Sequence, residues 1–308
     1  FEWHPSAQLA LTAGFDKTLR LFRTDGVENI MVQSIHVAKL PIASAAFSAD
    51  GSEVLLCGRG RSLAAFDLGA GRASFLRGVG QPNHNSRGEA GYSRVIVSPD
   101  GAHLAVIGTS GALLLLSAKT KQLIATLQPA NGGSKWGCQT AVFSPDGARL
   151  YTAGDSDRVR VWDVRRRCCA HTFRERGGVR CIALAPSPNG RLIAAGADSG
   201  VVTLYGSVDA HSSASPEPIK EFLDLRTAIT DMRFNATSEL LAFSSKYVKS
   251  SLRVAHVRSR TVFSNWPTSK TPLNYVQCCA FSPRSGYVAM GNDKGKALMY
   301  RIAHYDSA

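Results

Sequence analysis

Between Thr140 and Val164 the chain reads TAVFSPDGARLYTAGDSDRVRVWDV, and apolar and polar positions alternate there in a fixed order. TAVF is a short apolar run, the pattern of a strand buried on both faces. SPDG follows; its proline presets φ and its glycine accepts a positive φ, which predicts a tight turn. RLYTAG and VRVWDV then carry β-branched and aromatic residues, as strands do, on either side of a second polar turn. CAHTF, from Cys169, predicts a shorter outer strand. A helical period fits nowhere over a comparable length.

The same order recurs along the chain. The residue before each Pro-x-Gly-like turn is His4, Ser48, Ser98, Ser144, Ser187, Asn235 and Ser282, at intervals of 43 to 50 residues. One such unit cannot bury both faces of its sheet, so neighbouring units must stack on it. Seven copies at this period predict an all-β fold, a seven-bladed propeller of four-stranded blades in one domain over residues 1–308. The chain opens at FEWHP, inside the first inner strand, so an N-terminal leader is expected to complete the first or last blade. Residues 78–91 and 206–218, rich in Gly, Ser, Pro and Asn, are expected to be exposed loops.

Composition removes several alternatives. No run of 18 apolar residues occurs, so no membrane-crossing helix is expected. Seven cysteines, odd in number, irregularly spaced and without CxxC, argue against a disulfide framework and for buried thiols. His4, His36, His84, His103, His171 and His211 show no metal-ligand spacing, and the glycines match no phosphate or dinucleotide loop. The recurring Ser and Asp of SPDG behave as turn-formers, so no catalytic residue, metal or cofactor is expected.

Charge adds a positive indication. The net charge is +13, with pI near 9.7, which favours nucleic acid or another polyanion as partner. In a propeller the turns after strands one and three emerge on one rim, and those after strand two on the other. The third-strand turns carry Arg72, Lys119, Lys121, Arg165, Arg166, Arg167, Arg258 and Arg260, a candidate basic rim for RNA or an acidic partner. Arg149, Arg191 and Arg284 join it from the first-strand turns. Arginine forks suit phosphate and carboxylate equally, and no aromatic residue interleaves the triplet, which disfavours base stacking there. The opposite rim reads as mixed, with Asp16, Asp155, Asp157, Asp198 and Asp293 among Arg59, Arg61, Arg158, Lys246, Lys249 and Lys294.

The repeats resemble the WD-repeat family, whose naming dipeptide stands here as Trp162-Asp163. Elsewhere the same place reads Leu21-Phe22, Phe66-Asp67, Leu204-Tyr205 and Met299-Tyr300. The resemblance implies a buried hydrogen-bond set in which Thr152, Asp157 and Trp162 match by position. No Gly-His dipeptide precedes any blade, so that set is incomplete. FSPRSGYVAMGNDKGKALMYRIAHY (281–305), TVFSNWP (261–267) and PIKEFLDL (218–225) resemble a narrower group, the U3 small nucleolar RNA-associated WD-repeat proteins of the small-subunit processome. That resemblance spans all seven units. It implies a non-catalytic nucleolar scaffold of ribosome biogenesis. Its partners would be other WD-repeat processome proteins, the U3 particle and precursor ribosomal RNA, and its task 18S maturation. It also implies a disordered N-terminal arm that recruits the exosome helicase, to which no residue of this chain corresponds. The alternative is a generic WD-repeat adaptor, a ubiquitin-ligase receptor or chromatin-associated peptide binder, taking a peptide at the central opening.

Overall fold

Each turn tetrapeptide closes a hairpin, and Ser144 shows how. Its hydroxyl donates to Asp146 Oδ1 at 2.5 Å and accepts the Arg149 N–H at 2.9 Å, while Gly147 adopts φ +70°. A Cβ on Gly147 would meet the Asp100 carboxyl carbon of the preceding blade at 2.7 Å, so glycine is required there twice over. In the sixth and seventh copies the glycine is replaced by Ser238 and Ser285, at φ +64° and +63°. Their hydroxyls accept the N–H groups of Asn189 and Ala236 from the turn before, a bond that helps hold the strained conformation.

The computed structural model describes residues 1–38, 40–58, 60, 62–76, 79, 90–128, 137–268 and 270–305. They form seven antiparallel sheets in which consecutive strands pair in chain order. The blades span 2–36, 42–76, 92–127, 138–174, 181–222, 231–262 and 276–301. Blade 4, for instance, is built from Cys138–Phe143, Arg149–Gly154, Arg158–Asp163 and Cys168–Arg174. Blade 1 has a two-residue inner strand, Glu2–Trp3, and blade 7 has three strands, ending at Ala297–Arg301. Beside that last strand lies a groove of about 860 Å³, lined by Trp266, Phe281, Tyr300 and Tyr305 among others.

A bulge recurs where the first strand begins, at Cys138/Thr140 in blade 4 and equivalently in blades 2, 5 and 7. Bulges increase strand twist, which suits blades converging on a channel. At Gly154, opposite the blade 4 bulge, a Cβ would lie 1.9 Å from the Gly137 carbonyl oxygen, so only glycine admits this backbone approach.

The core is a series of seams between successive blades. Between blades 3 and 4, Ile107, Leu115, Phe143, Leu150 and Trp162 pack together; between blades 4 and 5, Tyr151, Val161, Phe173, Ile193 and Tyr205. The seam that closes blade 7 on blade 1 is smaller, centred on Trp3, Ala10, Tyr287 and Ala289. Strand register corrects the sequence alignment of the naming dipeptide. Leu150 pairs with Trp162, and the equivalent pairs are Ala10–Phe22, Val54–Phe66, Ile193–Tyr205 and Val288–Tyr300. The aromatic itself therefore holds the tryptophan position in blades 1, 5 and 7, one residue later than the dipeptides Leu21-Phe22, Leu204-Tyr205 and Met299-Tyr300 suggest. Cys57 and Cys138 lie in these seams, where burial pushes their thiols up to about 12 and leaves them protonated.

The expected 206–218 loop contains a helix, α1 (Ser207–Ser212), and its Ala210 is fully buried. Of the 78–91 loop, only residues 79, 90 and 91 lie within the described residues.

Candidate polyanion-binding rim

The turns after strands one and three meet on one rim. The Val164 N–H donates to the Ala148 carbonyl at 3.1 Å, and the same link joins Leu68 to Ser52, Ala118 to Ala102 and Val257 to Glu239. Every basic third-strand turn is thus pinned to the hairpin turn of its own blade.

The triplet turn is built by Asp163. Its Oδ1 accepts the Arg166 N–H at 2.8 Å, and its carbonyl accepts the Arg167 N–H at 2.8 Å. That closure puts Arg167 at φ +57°; Gly71, Lys121 and Arg260 occupy the equivalent place at +64°, +58° and +57°. Three of four such turns therefore set a long cation where glycine would be unstrained, at a cost of ~1–2 kcal/mol each. Strain of this kind collects where side-chain identity matters for function.

The structure separates the candidate cations by environment. Arg165, Arg166 and Arg167 share one exposed turn of blade 4, with Arg258 and Arg260 exposed two blades onward, and Lys119 and Arg72 exposed on blades 3 and 2. Lys121 folds back, its Nζ 2.7 Å from Glu53 Oε2 of blade 2, so its charge serves the seam between blades. Arg166 Nε stands 3.9 Å from Asp163 with its side chain 82% exposed, a pair that water screens almost completely. In blade 5 the basic turn is replaced by α1.

There the fold assembles a cluster that the sequence did not reveal. His211 stacks on Tyr151 with ring centroids 5.7 Å apart, its Nδ1 accepts from Arg149 at 2.9 Å, and its Nε2 N–H reaches the Tyr151 hydroxyl at 2.8 Å. Burial, then the Arg149 charge, lowers His211 from 6.5 to about 4, which keeps the ring neutral at physiological pH. Arg149 is thereby held against α1. The unusual length between the third and outer strands of blade 5 was the only signal in the sequence.

Of the structural residues, Trp162 Nε1 donates to Thr152 Oγ1 at 2.8 Å inside the blade. Asp157 accepts from Arg174 Nε of the outer strand. The link between blades 4 and 5 holds a second buried polar set: Glu175 accepts from Thr203 Oγ1 at 2.8 Å and from the Gly177 N–H at 2.7 Å, and burial raises its carboxyl.

The opposite rim also departs from its mixed appearance. Asp16 pairs with Arg20 at 2.7 Å and Asp198 with Arg180 at 3.2 Å, while Asp155 accepts the Gly137 N–H. Arg59 and Arg61 lie outside the described residues.

Six four-stranded blades and a three-stranded seventh, a buried Trp–Thr bond and the Trp-Asp dipeptide define the class: the chain is a WD-repeat β-propeller. The family model for the WD domain, G-beta repeat, matches residues 121–163 and 167–205. Each match begins near the outer strand of one blade and ends at the third strand of the next, so each repeat staples two blades together. Across nearly its whole length the chain is homologous to proteins named U3 small nucleolar RNA-associated protein 18. It is 40% identical to the Mus musculus homologue over 99% of this chain and 54% of that protein. The Arabidopsis thaliana homologue is 38% identical, again over 99% and 54%. The Saccharomyces cerevisiae protein is 29% identical over 98% of this chain and 57% of its own length. The chain spans about half the length of these relatives.

Proposed function

We propose that this propeller is a non-catalytic scaffold of ribosome biogenesis, working in the nucleolus with the U3 particle on precursor ribosomal RNA for 18S maturation. The observation that carries the reading is homology through all seven blades to proteins whose name records U3 RNA association. Seams between blades hold the ring as a rigid platform, and its sides offer docking faces to other WD-repeat processome proteins. The basic rim supplies charge: Arg165, Arg166 and Arg167 extend from one turn toward phosphate or carboxylate, with Arg258, Arg260, Lys119 and Arg72 on neighbouring turns. Lys121 has a structural part in that rim, joining blades 2 and 3.

The test is capture of the tagged full-length protein from its own cells, with sequencing of bound RNA and identification of bound proteins. U3 RNA, precursor ribosomal RNA and other processome propellers are the expected catch. Recovery of ubiquitin-ligase or chromatin components without those RNAs would overturn the reading. Changing Arg165, Arg166 and Arg167 together to Glu should reduce particle incorporation while leaving thermal unfolding unchanged. Equal incorporation would remove the rim from the function.

A further inference from the structure

The rim opposite the arginine triplet carries what the triplet lacks, exposed aromatic rings set among unpaired lysines. In blade 6 the turn after the second strand exposes Lys246, Tyr247, Val248 and Lys249, with Tyr247 60% exposed. The Ser250 N–H at its end donates to the Asn274 carbonyl at 2.8 Å, which seats the turn beside Tyr275, the exposed residue that leads into blade 7. Tyr275 is tied in turn to the next loop: its N–H donates to Asp293 Oδ1 at 3.2 Å, and its carbonyl accepts the Asp293 N–H at 3.1 Å. That loop exposes Lys294 and Lys296. Two ring-bearing loops and four lysines thus form one continuous arc across two blades.

None of Lys246, Lys249, Lys294 and Lys296 forms an ion pair among the described residues, while Asp293 is occupied by the Tyr275 backbone. Lys246 Nζ sits 5.5 Å from the Tyr247 ring centroid, so the cation lies over the ring that follows it in sequence. An exposed lysine with no carboxylate partner meets phosphate at little desolvation cost, and an exposed tyrosine offers a π-face to any unpaired base.

We propose that the arc of Lys246, Tyr247, Lys249, Tyr275, Lys294 and Lys296 binds single-stranded RNA, stacking bases on the two tyrosines and tracking the backbone with the lysines. This rests on the RNA-scaffold reading for its ligand and goes beyond it in naming the face. Duplex RNA keeps its bases stacked on one another and would engage only the lysines, so the arc should prefer single strands. An acidic peptide would use the lysines and ignore the rings.

The experiment is fluorescence anisotropy of a labelled 12-nucleotide oligouridine on the full-length protein, repeated over a salt series, with a 12-base-pair RNA duplex and a polyglutamate peptide as comparison probes. Tyr247→Ala and Tyr275→Ala should each weaken oligouridine binding about 5- to 150-fold, the range of one lost base stack, with the salt slope unchanged. Tyr247→Phe should restore binding. Lys246→Gln with Lys249→Gln should lower the salt slope by about 1.4, roughly 0.7 for each phosphate contact removed. Wild-type binding by both tyrosine variants, equal affinity for duplex, or tighter binding of the peptide would overturn the proposal. If the tyrosine variants lose oligouridine binding while tagged wild-type protein recovers no U3 RNA from cells, the face stands and the scaffold reading falls. If U3 RNA is recovered and the tyrosine variants bind normally, the reverse holds.

Discussion

The two rims of this propeller are made by the same chain at the same period, yet they are built differently. On the rim of the arginine triplet, each third-strand turn is bonded to the hairpin turn of its blade, and the wall beneath it is a buried aromatic such as Trp162. Its cations are partly drawn into structure: Lys121 into a seam, Arg149 into the His211 cluster. The opposite rim holds its acids in local bonds and leaves its lysines and tyrosines of blades 6 and 7 projecting from the frame. Two charges of the first rim, Lys121 and Arg149, are thus coupled to folding, while the exposed lysines of the second are nearly independent of it. Density of basic residues in the sequence is a poor guide to which surface is available.

That contrast can be broken most forcefully at Trp162. Replacing it with Ala removes a ring buried in the seam between blades 3 and 4 and leaves Thr152 Oγ1 without its donor. A loss of about 3–5 kcal/mol is expected, measured by denaturant unfolding. A loss below 1 kcal/mol would mean that the rim is not built on the core in the way its contacts indicate.

A smaller effect should appear with pH. His211 is lowered in the folded protein from 6.5 to about 4, so the native state binds fewer protons than the unfolded chain across that window. Its contribution is fully present above pH 6.5 and is lost as pH falls toward 4. Melting temperatures of wild type and His211→Asn should therefore diverge above pH 6.5 and converge at low pH. Parallel curves would show that the cluster bears no pH-dependent load.

The smallest stability effect is expected on the opposite rim. Tyr247→Ala and Lys249→Ala each change an exposed side chain and should shift unfolding by less than about 0.5 kcal/mol, so that binding defects there can be read free of folding. A larger shift would erase the distinction between the rims.

The blades were legible because their signals are short-ranged. Ser144-Pro145-Asp146-Gly147 specifies its turn through bonds within five residues, and even Asn235-Ala236-Thr237-Ser238, without proline or glycine, was found by its period. Helix α1 was not legible, because six residues make no independent helix; its His211 is anchored by Tyr151 and Arg149, some sixty residues earlier in the chain. The arginine triplet was visible as a triplet, but Lys121 beside it looked equally free until Glu53 was placed against it. The lysine–tyrosine arc was divided in the sequence between residues 246–249, 275 and 294–296, and only Lys246, Lys249 and Lys294 stood out there.

Period, turn chemistry and apolar runs belong to neighbouring residues, so the sequence by itself determined the number of blades, the order of strands and the excess of positive charge. The tertiary structure alone decided which charges are free. An ion pair depends on separation in space, and the ring brings together groups that lie far apart along the chain. The same closure set Tyr247 beside Tyr275 and left their rings facing water, a juxtaposition that no local pattern encodes.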